Sequence, residues 1–491
     1  MSIRRDEATH RRLRVWCERQ SERTLILGAI LLLSSAAAVL VFVLEKYYMA
    51  DPSSSLVFEP DDCYPSMRAI AGQHCFSDYG WSIHHGMRAN PWEHAPLHPG
   101  DVNDYTAAAL LLPMIFAVIS SWLHVPSAGL IVYLIAMAVA VLYPAFWAAR
   151  GARGLERVVV FVACGVAAIP GWAAIDRGNA IGFFVPIGLV FLVALCRQRW
   201  GVVAIAVILA SLLKPQFVLL ALVFFAARRW REGTGAVAGA GLLNVAAYGF
   251  WPQQFPATML ESVTNALAHG VRIDGIIEGQ QLNVSFRRGL LAIPEYVATG
   301  TVDGQLGADG PWSLVGYAVL IVVTLSILIL GRRIPPVLAG VALLCTVSLF
   351  PDVSYRYYLV FAIPVVALIV RDPDGAPGRG IFDRPDAIGG RRRVVFVLIT
   401  AAAAVSVAHV PIPLPSDYGG GLMGGPLMPT SGSVLAPLLW LIALMAIVVS
   451  YARSAATTQL PGAEDPASET GSDGRADDRA LDGANSTARR I

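Results

Sequence analysis

Apolar runs recur from Thr24 to Ala452, each closed by a loop, and nothing else in the chain restricts its fold as strongly. A helix needs about 20 apolar residues to cross the hydrocarbon of a bilayer. The runs place spans at 24–44, 126–149, 155–174, 179–196, 201–213, 215–227, 234–251, 313–330, 335–350, 356–370, 394–411 and 434–452. The expectation is an all-α polytopic membrane protein with about 12 transmembrane helices. With 55% hydrophobic and 15% charged residues among 491, a soluble multidomain protein is excluded. A net charge of +2, with basic residues gathered by loop and not along one face, gives no case for nucleic acid.

The arginines then set the topology. The segment Met1 to Arg23 is dense in Arg, and no small-residue cleavage site follows Leu44, so the first run reads as a retained span. With that start in the cytoplasm, alternation through the spans leaves 28 of the 37 Lys and Arg residues on the cytoplasmic side. The pattern requires that the run Ala107 to Leu123 does not cross, and we expect it on the outer surface as an interfacial or re-entrant helix. The resulting plan is a basic cytoplasmic N-terminus (1–23), a transmembrane domain (24–456) with external loops at 45–125 and 252–312, and a cytoplasmic tail (457–491). The tail is rich in Asp, Gly and Ser and is expected to be disordered.

Basic-loop parity also requires a hairpin in "ASLLKPQFVLLAL" rather than one kinked helix. Each arm has about 13 apolar residues, or roughly 20 Å at 1.5 Å per residue, against a hydrocarbon core of roughly 30 Å. The turn Lys214-Pro215-Gln216 should therefore lie below the outer surface. A lysine at that depth lines a wet cavity or meets an anion, or else snorkels from a helix end.

Five polar groups face outward in this topology: Asp61 and Asp62; Asp176, Arg177 and Asn179 in "AIDRGNAIG"; Lys214 and Gln216; Asn283 and Ser285 in "QQLNVSFRR"; and Arg356 and Tyr357 in "FPDVSYRYY". Outward loops ordinarily carry polar residues, but "DRGN" and "KPQ" interrupt otherwise apolar stretches. A site at the membrane surface needs this combination of apolar walls and polar groups at headgroup depth.

These residues resemble the signature of glycosyltransferase family 87. The run Asp176 to Leu220, with its "DRGN" and "KPQ" turns one helical hairpin apart, looks like the central segment of that family. "QLNVSFRRGL" and "SLFPDVSYRYYLVFAIP" are similar to its later loops, and "NDYTAAALLLP" to the segment leading into its second apolar run. The family's usual Gly-Gln is replaced here by Arg177-Gly178, and a segment that often bears His reads Tyr355-Arg356-Tyr357-Tyr358. The resemblance implies a GT-C-type fold with interfacial helices in the first external loop. It also implies transfer of mannose or arabinofuranose from a polyprenyl-phosphate sugar to a lipid-linked glycan or polysaccharide acceptor, outside the plasma membrane and with inversion. The catalytic carboxylate would be Asp62 or Asp61. Asp62 precedes Tyr64 as the family's base precedes an aromatic-containing helix, while "PDD" also reads as a turn or helix cap.

Such a transfer needs one carboxylate to take the proton of the acceptor hydroxyl, and cations around the leaving phosphate. Lys214, Arg177 and Arg356 suit the phosphate; Asp176, Asn179, Gln216, Asn283, Ser285 and Tyr357 suit the substrates. No cofactor is implied. His94 and His98 have Pro96 between them, which spoils a helical metal pair, and a divalent metal is left open. Cys63 and Cys75 share a loop that an oxidising compartment could bridge. The rival classes are a secondary transporter, which would show matching helix breaks in both halves, and a flippase or assembly scaffold, which would tolerate loss of these charges.

Overall fold

The computed structural model describes residues 21–48, 76–93, 102–125, 127–273, 282–300, 311–413 and 428–457. Asp61, Asp62, Cys63 and Cys75 lie outside the described residues, as do residues 458–491 of the tail. The contacts below all fall within the compact unit that ends at Ala452.

The chain is helical, and among the described residues only two isolated β-bridges occur, Asn283 with Tyr355 and Pro411 with Thr430. In order the helices are α1 (Glu22–Tyr48), α2 (Ser77–Gly86), α3 (Ala107–Leu123), α4 (Ala128–Ala149), α5 (Gly154–Phe161), α6 (Ile169–Arg177), α7 (Phe184–Cys196), α8 (Trp200–Leu213) and α9 (Leu222–Ala226). They continue with α10 (Trp230–Ala247), α11 (Ala257–Ile273), α12 (Phe286–Thr299), α13 (Val315–Leu330), α14 (Pro336–Leu349), α15 (Ala362–Val370), α16 (Pro385–Ile388), α17 (Arg393–Val407) and α18 (Ser431–Thr457). Four stretches among the described residues are long and apolar enough to cross a membrane: Glu22–Tyr48, Ala128–Ala149, Trp312–Arg333 and Ser431–Arg453. A bent pair, Gly154–Val166 with Ile169–Arg177, joins at 46° and makes up to five. Seven further apolar helices are shorter. The chain is thus a helical protein suited to a lipid bilayer.

The basic loops gather at one end. Arg23 pairs with Glu156 at 2.5 Å and donates to the Val370 carbonyl. Arg197 reaches Asp374 at 2.8 Å, and Arg384 bridges Asp372 and Asp374. Arg332 donates to the Ala227 carbonyl, and Arg392 to the Ser450 carbonyl. Loops separated by up to hundreds of residues are fastened together there by guanidinium groups, whose planar fork can hold two partners at once.

Two short segments turn back at the opposite end. The first is α3, which starts and finishes there. Ala107 and Leu110 pack with Trp92, Tyr248 and Trp251. Farther along, Ser120 accepts from the Gly129 amide, four residues before Tyr133, whose hydroxyl donates to the Gly178 carbonyl. The second is the hairpin of α8 and the Pro215–Ala221 turn leading into α9. Its feet meet where the Trp200 and Phe224 rings lie 5.7 Å apart under Arg229, so its apex at Lys214 is about 14 residues, or roughly 20 Å, away.

Candidate functional site

The site is built from two helix breaks. At the end of α6, Gly178 takes φ +67°, a left-handed conformation that closes helices at low cost only for glycine. Its amide donates to Ile175, and the next amide, of Asn179, donates to Ala174. Asn179 is buried and uses its side-chain oxygen to cap the following turn through the Ile181 amide at 2.9 Å. Its nitrogen is left to donate to Asp78 Oδ2 at 2.6 Å, with the Tyr105 hydroxyl 3.4 Å away. On the preceding turn Arg177 Nε meets Asp78 Oδ1 at 3.3 Å. The "DRGN" interruption thus presents two donors to one carboxylate on the first turn of α2.

The second break is the "KPQ" turn. Pro215 cannot continue α8, and the preceding Lys214 is extended, with φ −148° and ψ 120°. The ammonium Nζ lies 4.3 Å from the centre of the Tyr105 ring and 5.8 Å from that of Tyr358. Tyr358, Asp104 and Asp78 are the groups whose charge or hydrogen bonding bears on it. The next side chain but one, Gln216, leaves the cluster and donates to the Val347 carbonyl at 2.9 Å, pinning the turn to α14.

Tyr105 ties these pieces together. Burial first, and then the nearby carboxylates Asp78 and Asp104, hold its phenol well above the usual value, so it stays neutral at any physiological pH. Its backbone oxygen accepts from the Trp92 indole at 2.8 Å, and its amide donates to Asn103 at 3.0 Å. The cluster therefore holds two acids, Asp78 and Asp104, two bases, Arg177 and Lys214, and two phenols, Tyr105 and Tyr358. Both phenol rings lie within cation–π range of Lys214.

The remaining sequence-predicted residues make other contacts. Asp176 is half-buried on the turn of Arg177. Asn283 accepts from the amides of Ser285 and Ser354 and donates to the Asp352 carbonyl, so its amide staples two loops. Ser285 caps α12 through the Arg288 amide. Arg356 is fully buried near the buried His409, and Tyr357 stacks on Tyr355 with ring centres 5.5 Å apart. Asp78, Asp104 and Tyr105 were not singled out from the sequence. The signal available for them was weak: "FSDYG" and "NDYTA" in a loop already rich in polar residues. Among the described residues no three His, Cys, Asp or Glu side chains converge as a metal site would require.

No family model matches the chain, and no curated protein matches it.

Proposed function

We propose that this chain is an integral-membrane glycosyltransferase that moves a sugar, mannose or arabinofuranose, from a polyprenyl-phosphate donor to a glycolipid or polysaccharide acceptor. The observation that carries the reading is Lys214. A cation at the apex of an apolar hairpin, set among two carboxylates and two phenols, suits a phosphate whose sugar must be held by hydrogen bonds while its lipid tail stays in hydrocarbon. The basic loops at the opposite end would face the cytoplasm, which puts the cluster at the outer face of the plasma membrane. The resemblance to glycosyltransferase family 87, and through it the GT-C-type fold with about 12 spans, agrees with this reading.

In the reaction a carboxylate takes the proton of the acceptor hydroxyl as its oxygen attacks the anomeric carbon. The bond from that carbon to the phosphate oxygen breaks, and the polyprenyl phosphate leaves with the electron pair. Lys214 would meet the charge that grows on the leaving phosphate. Asp78 has an Arg and an Asn donor on its two oxygens, which suits it to holding Arg177 and Asn179 in place. The base would be Asp62 or Asp61, beyond the described residues, or Asp104 beside Lys214.

The test is transfer from radiolabelled polyprenyl-phosphate mannose and arabinofuranose to a membrane glycolipid fraction. Wild type is compared with Asp61→Asn, Asp62→Asn, Asp104→Asn and Lys214→Ala. We expect one Asp variant to fold normally and lose transfer by about 100- to 10,000-fold, the range for a missing general base. Wild type transferring neither sugar would sink the reading and direct attention to transport assays.

A further inference from the structure

Two helices beside the site are built inside out. On α11 the residues Thr258, Ser262 and Asn265, spaced by four and three, are buried, while Leu260 and Val263 are 68% and 48% exposed. Ser262 and Asn265 of this stripe, and Glu261 beside it, hydrogen-bond to the protein. Ser262 accepts from the Tyr248 hydroxyl, Glu261 accepts from Asn90, and Asn265 donates to the backbone oxygens of Trp92 and Asn103. On α12 the charged residues are hidden instead: Arg288 pairs with Glu295 at 2.6 Å, both almost fully buried, and Arg287 pairs with Asp352 at 2.6 Å. The opposite face of α12 shows Leu290, Ile293 and Val297, spaced by three and four, with Val297 80% exposed.

A helix against water turns its apolar stripe to the core and its charges outward. Here α11 does the reverse, and α12, which also buries Phe286, Leu291 and Ala292, hides its charges while leaving Leu290, Ile293 and Val297 outside. Leaving one such Leu, Ile or Val in water, rather than burying it, costs about 1.5–3 kcal/mol. In hydrocarbon the same pattern is the favoured one: apolar side chains outward, and charges paired within the protein.

We infer that α11 and α12, which the sequence places in an external loop, are seated in the bilayer with these faces against lipid. The occupant is a lipid surface, because the apolar face of α12 continues onto α13, against which α12 packs. That helix belongs to a stretch apolar enough to span, and it exposes Leu314, Ile321, Val322 and Ile329. Phe250 and Phe255 extend the apolar surface ahead of α11. The inference does not depend on the transferase reading. Its consequence for the site is mechanical: the membrane-facing helix α11 carries the polar stripe that holds Trp92, Asn103 and, through Ser262, the backbone of Tyr105.

The test places an environment-sensitive fluorescent amino acid at position 260 or 297 of the full-length protein, reconstituted in vesicles of phosphatidylcholine and phosphatidylglycerol. Both side chains point away from the protein, so the fold should tolerate the change. A control at position 386, exposed among the basic loops, reports an aqueous site. The expected result is blue-shifted emission at 260 and 297, quenched by lipids brominated on their acyl chains and indifferent to aqueous iodide, with the control behaving oppositely. Iodide quenching at 260 and 297 would overturn the inference by showing that the faces meet water. Blue-shifted emission that neither quencher reaches would overturn it too, by showing that protein, such as a second copy, covers them.

Discussion

The two ends of the bundle use the same ionic chemistry for opposite purposes. At the basic end, guanidinium groups fasten the chain: Arg23 to Glu156, Arg197 to Asp374 and Arg392 to the Ser450 carbonyl join distant segments, and Arg384 closes its own loop on Asp374. Several of these groups remain substantially exposed, as at Arg197 and Asp374, where solvent screens the attraction. At the other end, Asp78, Arg177, Asn179 and Lys214 gather around Tyr105 with little solvent, and three of the four stand at breaks in apolar helices. A fastener can sit anywhere two loops meet, whereas charges brought into an apolar layer are expensive and are kept where they act on something. The comparison predicts that charge removal at the site end costs function first, and at the basic end only a little stability.

The sharpest way to break that comparison is Lys214→Ala. We expect transfer to fall by about 100- to 1,000-fold, the loss typical of removing one group that stabilises developing charge, together with some loss of thermal stability because nearby carboxylates lose a cation. Lys214→Arg should recover part of it, since the charge returns with a different shape. If Lys214→Ala lowered the melting temperature but left transfer intact, the ammonium would be a fastener like those at the basic end.

Next in size is Asn179→Ala. It removes the cap of the Ala180–Phe183 turn and one donor to Asp78, so a destabilisation of about 1–3 kcal/mol is expected. Transfer should fall as well, because Asp78 would lose one of the donors that hold it. A denaturant midpoint equal to that of wild type would show that the turn needs neither bond.

The two breaks were legible in the sequence because their signals are local. Gly178 and Pro215 interrupt apolar periodicity within a few residues, and a lysine or Arg-Gly-Asn inside such a run stands out against its neighbours. The expectation that α3 does not cross drew on a different kind of signal, since loop charge counts parity over the whole chain. The carboxylates opposite the breaks were not legible. Asp78 meets Arg177 and Asn179 across 99 and 101 residues, and Asn179 approaches Tyr105 across 74, while each of the loop residues sits among others of the same kind. The sequence also does not say which polar side chains the fold itself consumes. Asn283 and Gln216 carry the same chemistry as a substrate-binding amide, but their bonds close onto backbone 69 and 131 residues away. The inside-out character of α11 and α12 was equally hidden, because periodicity shows that a helix has two faces without saying which one meets the protein.

The smallest effect belongs to the basic end and is read through pH. Burial alone would raise the carboxyl of Asp374, but hydrogen bonds from Arg197 at 2.8 Å and Arg384 at 3.3 Å outweigh it and hold the group below the usual carboxylate range. A depressed folded-state value means that the stabilisation is fully present above the unfolded value of about 3.9 and is lost as pH falls through the folded one. Because the pair is well exposed, the contribution at neutral pH should be below about 1 kcal/mol and should shrink further in high salt. Comparing wild type with Asp374→Asn at each pH cancels the titration of every other acid, so the difference in melting temperature isolates this one. The expected difference is small and constant from neutral pH down to about 4 and vanishes below that, with transfer unchanged throughout. A difference that persisted in strong acid would mean that Asp374 fastens its loop through its shape and hydrogen bonds rather than its charge, and a loss of transfer would mean that the two ends are coupled through the bundle.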